Sequence, residues 1–334
     1  MKFAVPYYKS NGGKWLNYPS EIIIRYDGES TEESFVTFLK EHDKQRIIID
    51  ILNYDKFLSD VSYAFIFRNL KIEHNLTNFA LRFNVEHERV EEVEAHLRDL
   101  GFNIPDSETK LDYFYNGGLE TFEQLDRFMY TEVSDVYITN ALAFDIKRVK
   151  EKILKASHHI NIRLYPNVCQ SYWNTRSILS FFIRPEDISL YNDYVDVMEI
   201  YAESLPQKSK AEVYYDIYAK SGSWFGDLKE YLINCDDSIY SPLLWKNFGE
   251  KRLGCKKRCI ADGKCRFCYD QLKYLELMQK TTDKVSDITR KIAEAGINVI
   301  PEENEVEDIK IYIGEIPNED NENSIREEYS NEQR

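Results

Sequence analysis

Along the first two hundred residues, short β-branched or aromatic runs alternate with longer polar segments in which apolar positions recur every three or four residues. The first pattern is that of a buried strand, the second that of an amphipathic helix. EIIIRY at 21–26 predicts a strand. Residues 31–42 predict a helix, with Thr31 as N-cap and Glu33 and Ser34 in its first turn. RIIIDIL at 46–52 and NFALRFN at 78–84 predict the next two strands, and helices are expected at 61–70 and 88–100, the latter ended by Gly101. An insert at 102–118 interrupts the pattern. It resumes with a helix at 121–130, the strand SDVYIT at 134–139, a helix at 145–156 and the strand INIRLY at 160–165. SFFIR at 180–184 predicts a sixth strand, 186–194 a short helix, and VDVMEIY at 195–201 a seventh strand. Helices at 210–220 and 224–233 follow.

Strands that alternate with helices pair in parallel through right-handed crossovers. Seven or eight such units predict an α/β fold, a (β/α)-barrel that is complete or incomplete. A doubly wound open sheet is the alternative, because both architectures bury their strands on two faces. The expected organisation is a barrel-like domain at 1–234, a cysteine-bearing segment with helices at 235–300, and an acidic tail at 301–334 that is too polar to fold. Within the middle part, 269–296 has helical periodicity and 297–300 predicts a last strand.

Composition changes this picture little. Hydrophobic residues make up 43% of the 334 and charged residues 30%, so most of the chain can bury a core. The net charge of −15 matters more, because such a surface repels nucleic-acid phosphates and anionic membranes over most of its area. No apolar stretch approaches the about 20 residues of a membrane span, and residues 1–14 carry no secretory signal. The expectation is a cytoplasmic protein with no membrane contact. Richness in Lys, Glu, Asn, Ile and Tyr is the mark of an AT-rich genome, such as that of a phage or a low-GC bacterium.

Four of the six cysteines fall within fourteen residues, as Cys255-x3-Cys259-x5-Cys265-x2-Cys268. In a reducing compartment, two such close pairs predict a metal site rather than a disulfide framework. Four thiolates suit tetrahedral Zn2+ or the corners of a 4Fe–4S cluster, and the spacing leaves both open. Between 246 and 273 there are nine Lys or Arg against three Asp or Glu. Lys251, Arg252, Lys256, Lys257, Arg258, Lys264 and Arg266 therefore predict either a grip on RNA or an anionic small molecule, or simple compensation for four thiolates.

In a barrel, chemistry gathers where the strands end. Polar residues recur there: Arg25, Asp50, Arg82, Thr139, Arg163 and Tyr165, then Arg184, Glu186 and Asp187, then Glu199 and Tyr201. Arg163 and Arg184, expected on neighbouring strands, are candidates to hold an anion, and Glu199 or Glu186 to move protons. A structural ion-pair network is the competing explanation. No histidine pair with metal-ligand spacing, Gly-rich phosphate loop or nucleophile elbow is present.

SDVYIT, RLYPNVCQS at 163–171, FFIRPEDIS at 181–189 and VDVMEIYAE at 195–203 together resemble consecutive barrel strands of the collagenase-like peptidase family, which includes proteins of RNA and ubiquinone hydroxylation. Gln170, Arg184, Glu186 and Glu199 occupy the matching places. The resemblance covers about seventy residues. It implies a barrel with a 4Fe–4S centre after its seventh strand. The chain departs in having Arg184-Pro185-Glu186 where adjacent Arg and Glu are expected, in lacking a His-Gly ending, and in packing its cysteines into one short segment. Zinc gains from that last departure. Two readings follow: an iron–sulfur barrel protein acting on RNA or a small aromatic anion, or a non-enzymatic, phage-encoded, zinc-stapled binding or assembly protein.

Overall fold

The computed structural model describes residues 1–7, 18–26, 28, 30–85, 89–101, 110–169, 181–202, 210–221, 230, 232–235, 244, 247–253, 255 and 266–294. Among these, eight strands form one parallel sheet: β1 (Lys2–Pro6), β2 (Glu21–Tyr26), β3 (Arg46–Ile51), β4 (Phe79–Phe83), β5 (Tyr113–Tyr115), β6 (Asp135–Tyr137), β7 (Asn161–Leu164) and β8 (Val197–Glu199). The order is β5-β4-β3-β2-β1-β8-β7-β6, so the chain starts at the middle and its two halves run outward and meet. The two edges are joined by backbone bonds from Ser134 N–H to the Tyr113 carbonyl (2.9 Å), Leu119 N–H to Tyr137 (2.7 Å) and Thr139 N–H to Leu119 (3.0 Å). The result is a nearly closed (β/α)-barrel.

Helices lie between the strands: α1 (Glu32–Glu41), α2 (Tyr54–Ser59), α3 (Val61–Ile72), α4 (Val90–Asp99), α5 (Phe122–Phe128), α6 (Asn140–Phe144) and α7 (Ile146–Ile153). Their local chemistry explains where they start. Thr31 Oγ1 accepts from Ser34 N–H at the start of α1, and Thr121 and Gln124 form a capping box at the start of α5. Ile146, Val149 and Ile153 put one stripe of α7 into the core. After β8 come α8 (Ala211–Asp216) with a π turn at Ile217–Ser221, α9 (Phe248–Leu253) and α10 (Phe267–Glu294). Met1–Met278 forms one compact unit, and a second begins at Gln279, inside α10. No helix among the described residues is long and apolar enough to cross a membrane.

Strand alternation sorts side chains between axis and shell. Ile22, Tyr26, Leu81 and Phe83 are buried on the outer face, where β-branched and aromatic residues meet the helices. Tyr26 packs on Phe35 and Phe67 (ring centroids 5.6 and 5.4 Å), and Phe83 on Phe57 (5.3 Å). The interior positions carry the charges described below.

Three sequence expectations change. The segment 180–184 is not a strand of the sheet: β7 pairs directly with β8 through Arg163↔Val197, which leaves no slot between them. Its Phe181 and Phe182 are buried all the same, and the expected helix at 186–194 is a 3-10 helix, Pro185–Tyr191. The count of eight comes instead from β1 and from β5, which lies inside the expected insert. The helix expected at 224–233, the strand at 297–300 and the tail at 301–334 fall largely or wholly outside the described residues.

One polar group interrupts the apolar shell. Glu94 on α4 is buried and accepts hydrogen bonds from the Tyr113 and Tyr115 hydroxyls (2.8–2.9 Å). Burial raises its pKa, and the two hydroxyl donors offset only part of that. A carboxyl with a raised folded pKa is a burden when charged, so its share of stability grows as pH falls through the folded pKa and levels off below its unfolded value of about 4.3. Glu94→Gln is therefore expected to be at least as stable as the native chain at neutral pH. Its advantage should shrink on acidification, as read from urea unfolding at several pH values. A difference that does not move with pH would contradict this account of Glu94.

Candidate functional site

The barrel axis holds a continuous ion network. In β4, Arg82 binds Asp50 of β3 bidentately (both 2.8 Å), and its Nη1 donates to the Tyr137 hydroxyl (2.8 Å) and to Glu199 (2.7 Å). Arg163 of β7 is fully buried and donates to Glu21 (2.7 Å), Asp135 (3.0 Å) and Glu199 (3.0 Å). Arg46, at the start of β3, holds both oxygens of Asp135 (3.0 and 2.9 Å) and Ser134 Oγ (3.0 Å). Tyr137 donates to Glu199 as well. The faces of Phe114 and Tyr137 lie 5.1 and 5.5 Å from the Arg163 guanidinium carbon.

The electrostatics follow from burial and charge together. Burial alone would raise the pKa of Asp135, but the Arg46 and Arg163 guanidiniums and the hydrogen bonds from Arg46 and Ser134 outweigh it, and the net direction is down. Burial raises the Tyr137 pKa well above that of a free phenol, and Glu199 adds to the rise. The phenol is thus a hydrogen-bond donor.

Of the four residues proposed for catalysis, Arg163 and Glu199 are hydrogen-bonded to each other, and Arg184 and Glu186 lie elsewhere. Glu199 already receives donors from Arg82, Arg163 and Tyr137. Arg163 spans the axis, reaching Glu21 and Asp135, the first residues of their strands, through one Nη and Glu199, the last of its strand, through the other. Arg184 is paired elsewhere, bidentately with Asp187 (2.6 and 2.9 Å), over the Phe248 ring. Glu186 opens the 3-10 helix beside that pair and is half-buried. At the mouth, Arg25, Arg82, Glu199, Tyr7 and Tyr201 line a cavity of only about 20 Å³, room for about one water. The axis carries an ion-pair network of the kind expected as the alternative to a catalytic role. Glu21, Arg46, Asp135 and Tyr137 were missed as its members. Parity carried the signal, since each lies two or four residues from an interior residue of its own strand or shares its register.

The second locus lies beside the barrel. Arg252, the fifth residue of α9, is buried with its guanidinium carbon 4.7, 5.4 and 5.3 Å from the rings of Phe144, Phe182 and Phe248. Its Nη1 donates to Cys268 Sγ (3.7 Å), in the first turn of α10, and its carbonyl accepts from Cys255 N–H (3.1 Å). Gly249 makes this seat possible: a Cβ there would lie 2.2 Å from the Asp187 carboxyl carbon, so only glycine lets α9 approach the Arg184–Asp187 pair. Of the four predicted metal ligands, Cys268 reaches Arg252 through its sulfur, and Cys255 adjoins it through its backbone N–H. Cys259 and Cys265 lie outside the described residues, as do Lys256, Lys257, Arg258, Lys264 and Gln170. Among the described residues no group of three potential ligands stands together. The donor set fits a metal-bound thiolate, because a guanidinium N–H stabilises sulfur as the anion. Cys169, buried at the end of a β7 extension, is a core thiol.

This fold and its sites define an α/β protein of eight parallel barrel strands with an ion-paired axis and a cysteine-bearing flank. No protein-family model matches the chain, and no curated protein matches it.

Removing one member of the axis network should be costly. Arg163→Met leaves Glu21, Asp135 and Glu199 short of a cation, and a loss of about 3–5 kcal/mol in unfolding free energy is expected. With one cation gone, the Asp135 pKa moves up, so the deficit should narrow as pH falls. A variant within about 1 kcal/mol of the native chain would show that these contacts are incidental.

Proposed function

We propose that the protein is a non-enzymatic binding protein whose cysteine segment, stapled to the barrel by zinc, presents basic residues to an RNA partner. The observation that carries this reading is the bond from the buried Arg252 guanidinium to the Cys268 sulfur, with Cys255 three residues after Arg252 in sequence. A zinc ion held by Cys255, Cys259, Cys265 and Cys268 would tie the end of α9 to the start of α10. The axis supports it from the other side, because Glu199 already accepts from Arg82, Arg163 and Tyr137. Arg252 is itself buried, so the partner surface starts from Lys251 and Arg266, which are exposed, with Lys256, Lys257, Arg258 and Lys264 between them in sequence. On an acidic chain this is the place where phosphates would be attracted.

The second reading, a 4Fe–4S protein acting on RNA or a small aromatic anion, draws on the same N–H···S bond. Hydrogen bonds to cluster sulfurs tune reduction potential. One measurement separates the two.

Protein purified without oxygen is expected to carry about one zinc per chain and to be colourless. About four irons and a brown colour would replace the zinc reading with the cluster reading. Arg252→Met keeps the bulk between the rings and is expected to weaken metal retention about 10- to 100-fold in chelator competition. Single-stranded RNA should bind the metal-loaded chain, with affinity falling steeply as salt rises, and should be lost with the metal. Binding that survives metal removal unchanged would defeat the stapled-surface proposal.

A further inference from the structure

Away from both loci, the C-terminal ends of β2 and β3 enclose a second cavity, of about 200 Å³. One side is apolar and aromatic, formed by Tyr26, Ile51, Phe57 and Tyr63, with Tyr26 and Tyr63 edge to face at 5.5 Å. The other end is polar. Lys56 Nζ lies 5.4 Å from the Tyr63 ring centroid and, among the described residues, makes no salt bridge. Asn53 Oδ1 is occupied by the Lys56 backbone N–H, which leaves the amide nitrogen of Asn53 as a donor at the same end. Gly28 has φ +86°, and a Cβ there would sit 2.8 Å from Lys56 Nζ and 3.2 Å from the Tyr63 hydroxyl. A glycine thus lets the chain run tight against the ammonium and the phenol.

We propose that this cavity binds a small single-ring anion, a carboxylate or a phosphate ester, with the ring between Tyr26, Phe57 and Tyr63 and the anion on Lys56. The volume sets the size. Drug-sized ligands need roughly 300–1,000 Å³, so this space takes one ring with one small substituent. The walls set the body of the ligand, because aromatic side chains favour stacked or edge-on rings. The charge sets the head group, because an ammonium on a flexible stem is a point charge suited to a compact oxyanion. The place agrees as well, since ligands of barrel proteins sit at the C-terminal strand ends. The site is independent of the cysteine segment. It gives an anion a cation that Arg163 and Arg184, paired with Glu21, Asp135, Glu199 and Asp187, do not offer.

Ligand-observed NMR titrations of the full chain with benzoate, phenyl phosphate and neutral benzyl alcohol test this directly. Saturable binding of at least one anion is expected, tighter than that of benzyl alcohol, and the better of the two anions tells carboxylate from phosphate. Lys56→Met should weaken anion binding at least about tenfold while leaving benzyl alcohol unchanged. Leu52→Trp, from an exposed position on the cavity wall, should fill the space and abolish binding of all three. Neither substitution touches the core, and circular dichroism would verify folding. No saturable anion binding to the native chain, or anion binding indifferent to both variants, would overturn the proposal.

Discussion

A guanidinium without partners is prohibitively costly to bury, and Arg163 is completely buried in the middle of this barrel. Everything around it is arranged to meet that demand. Glu21 comes from β2, Asp135 from β6 and Glu199 from β8, so one side chain ties three strands to its own. Arg82 and Asp50 add β4 and β3 through the shared Glu199. Four carboxylates (Glu21, Asp50, Asp135, Glu199) face three guanidiniums (Arg46, Arg82, Arg163), and the Tyr137 hydroxyl donates to the carboxylate that both interior arginines share. Such a network adds little net stability over a well-packed apolar core. Its effect is on register. Slipping any of these strands by one residue would turn its charge outward into the aromatic shell, where nothing could pair it.

The same device recurs outside the barrel. Arg252 lies among the rings of Phe144, Phe182 and Phe248, much as Arg163 lies against Phe114 and Tyr137. Weak hydration lets a guanidinium stack on aromatic faces while its N–H groups stay directed at an anion. At the axis the acceptor is a carboxylate; at the flank it is the Cys268 sulfur. The abundance of Tyr and Phe thus has a specific use here, to line the places where arginine is buried.

The long elements were legible in the sequence because their period is strong. EIIIRY and RIIIDI are isoleucine runs buried on both faces, and the barrel topology followed from their alternation with helices. What escaped were β5, three aromatic residues without a β-branched neighbour, and β1, five residues near the chain start. SFFIR misled for a physical reason. Phe181 and Phe182 are apolar because they pack against Tyr191 and Phe248, not because they belong to a sheet. The polar residues were also legible, but not their partners. Glu199 looks like a general base until Arg82, Arg163 and Tyr137, brought from up to 117 residues away, are seen to occupy it. Periodicity reports which face a residue takes and is silent on what stands opposite.

On both proposals made above, binding lies at the periphery rather than on the axis. Arg46, Arg82 and Arg163 are held by Glu21, Asp50, Asp135 and Glu199, so a ligand of the kind proposed above would be met by other side chains. Lys56 at the β2 and β3 ends is one such group, and the cysteine segment is the other. The two differ in how they are built. The Lys56 cavity is lined mainly by residues of β2, β3, α2 and α3, and on the proposed reading it should respond to ligand size and charge. The cysteine segment leans on one residue: Arg252 connects the Cys268 sulfur to Phe182 and Phe248, and through Phe248 to Arg184 and Asp187. On the proposed reading, binding of metal there would fix the end of α9 and the start of α10 together, and loss of the metal would free the basic loop between them without disturbing the axis. The metal-dependent part of the molecule would then be its flank, and the axis would be indifferent to metal.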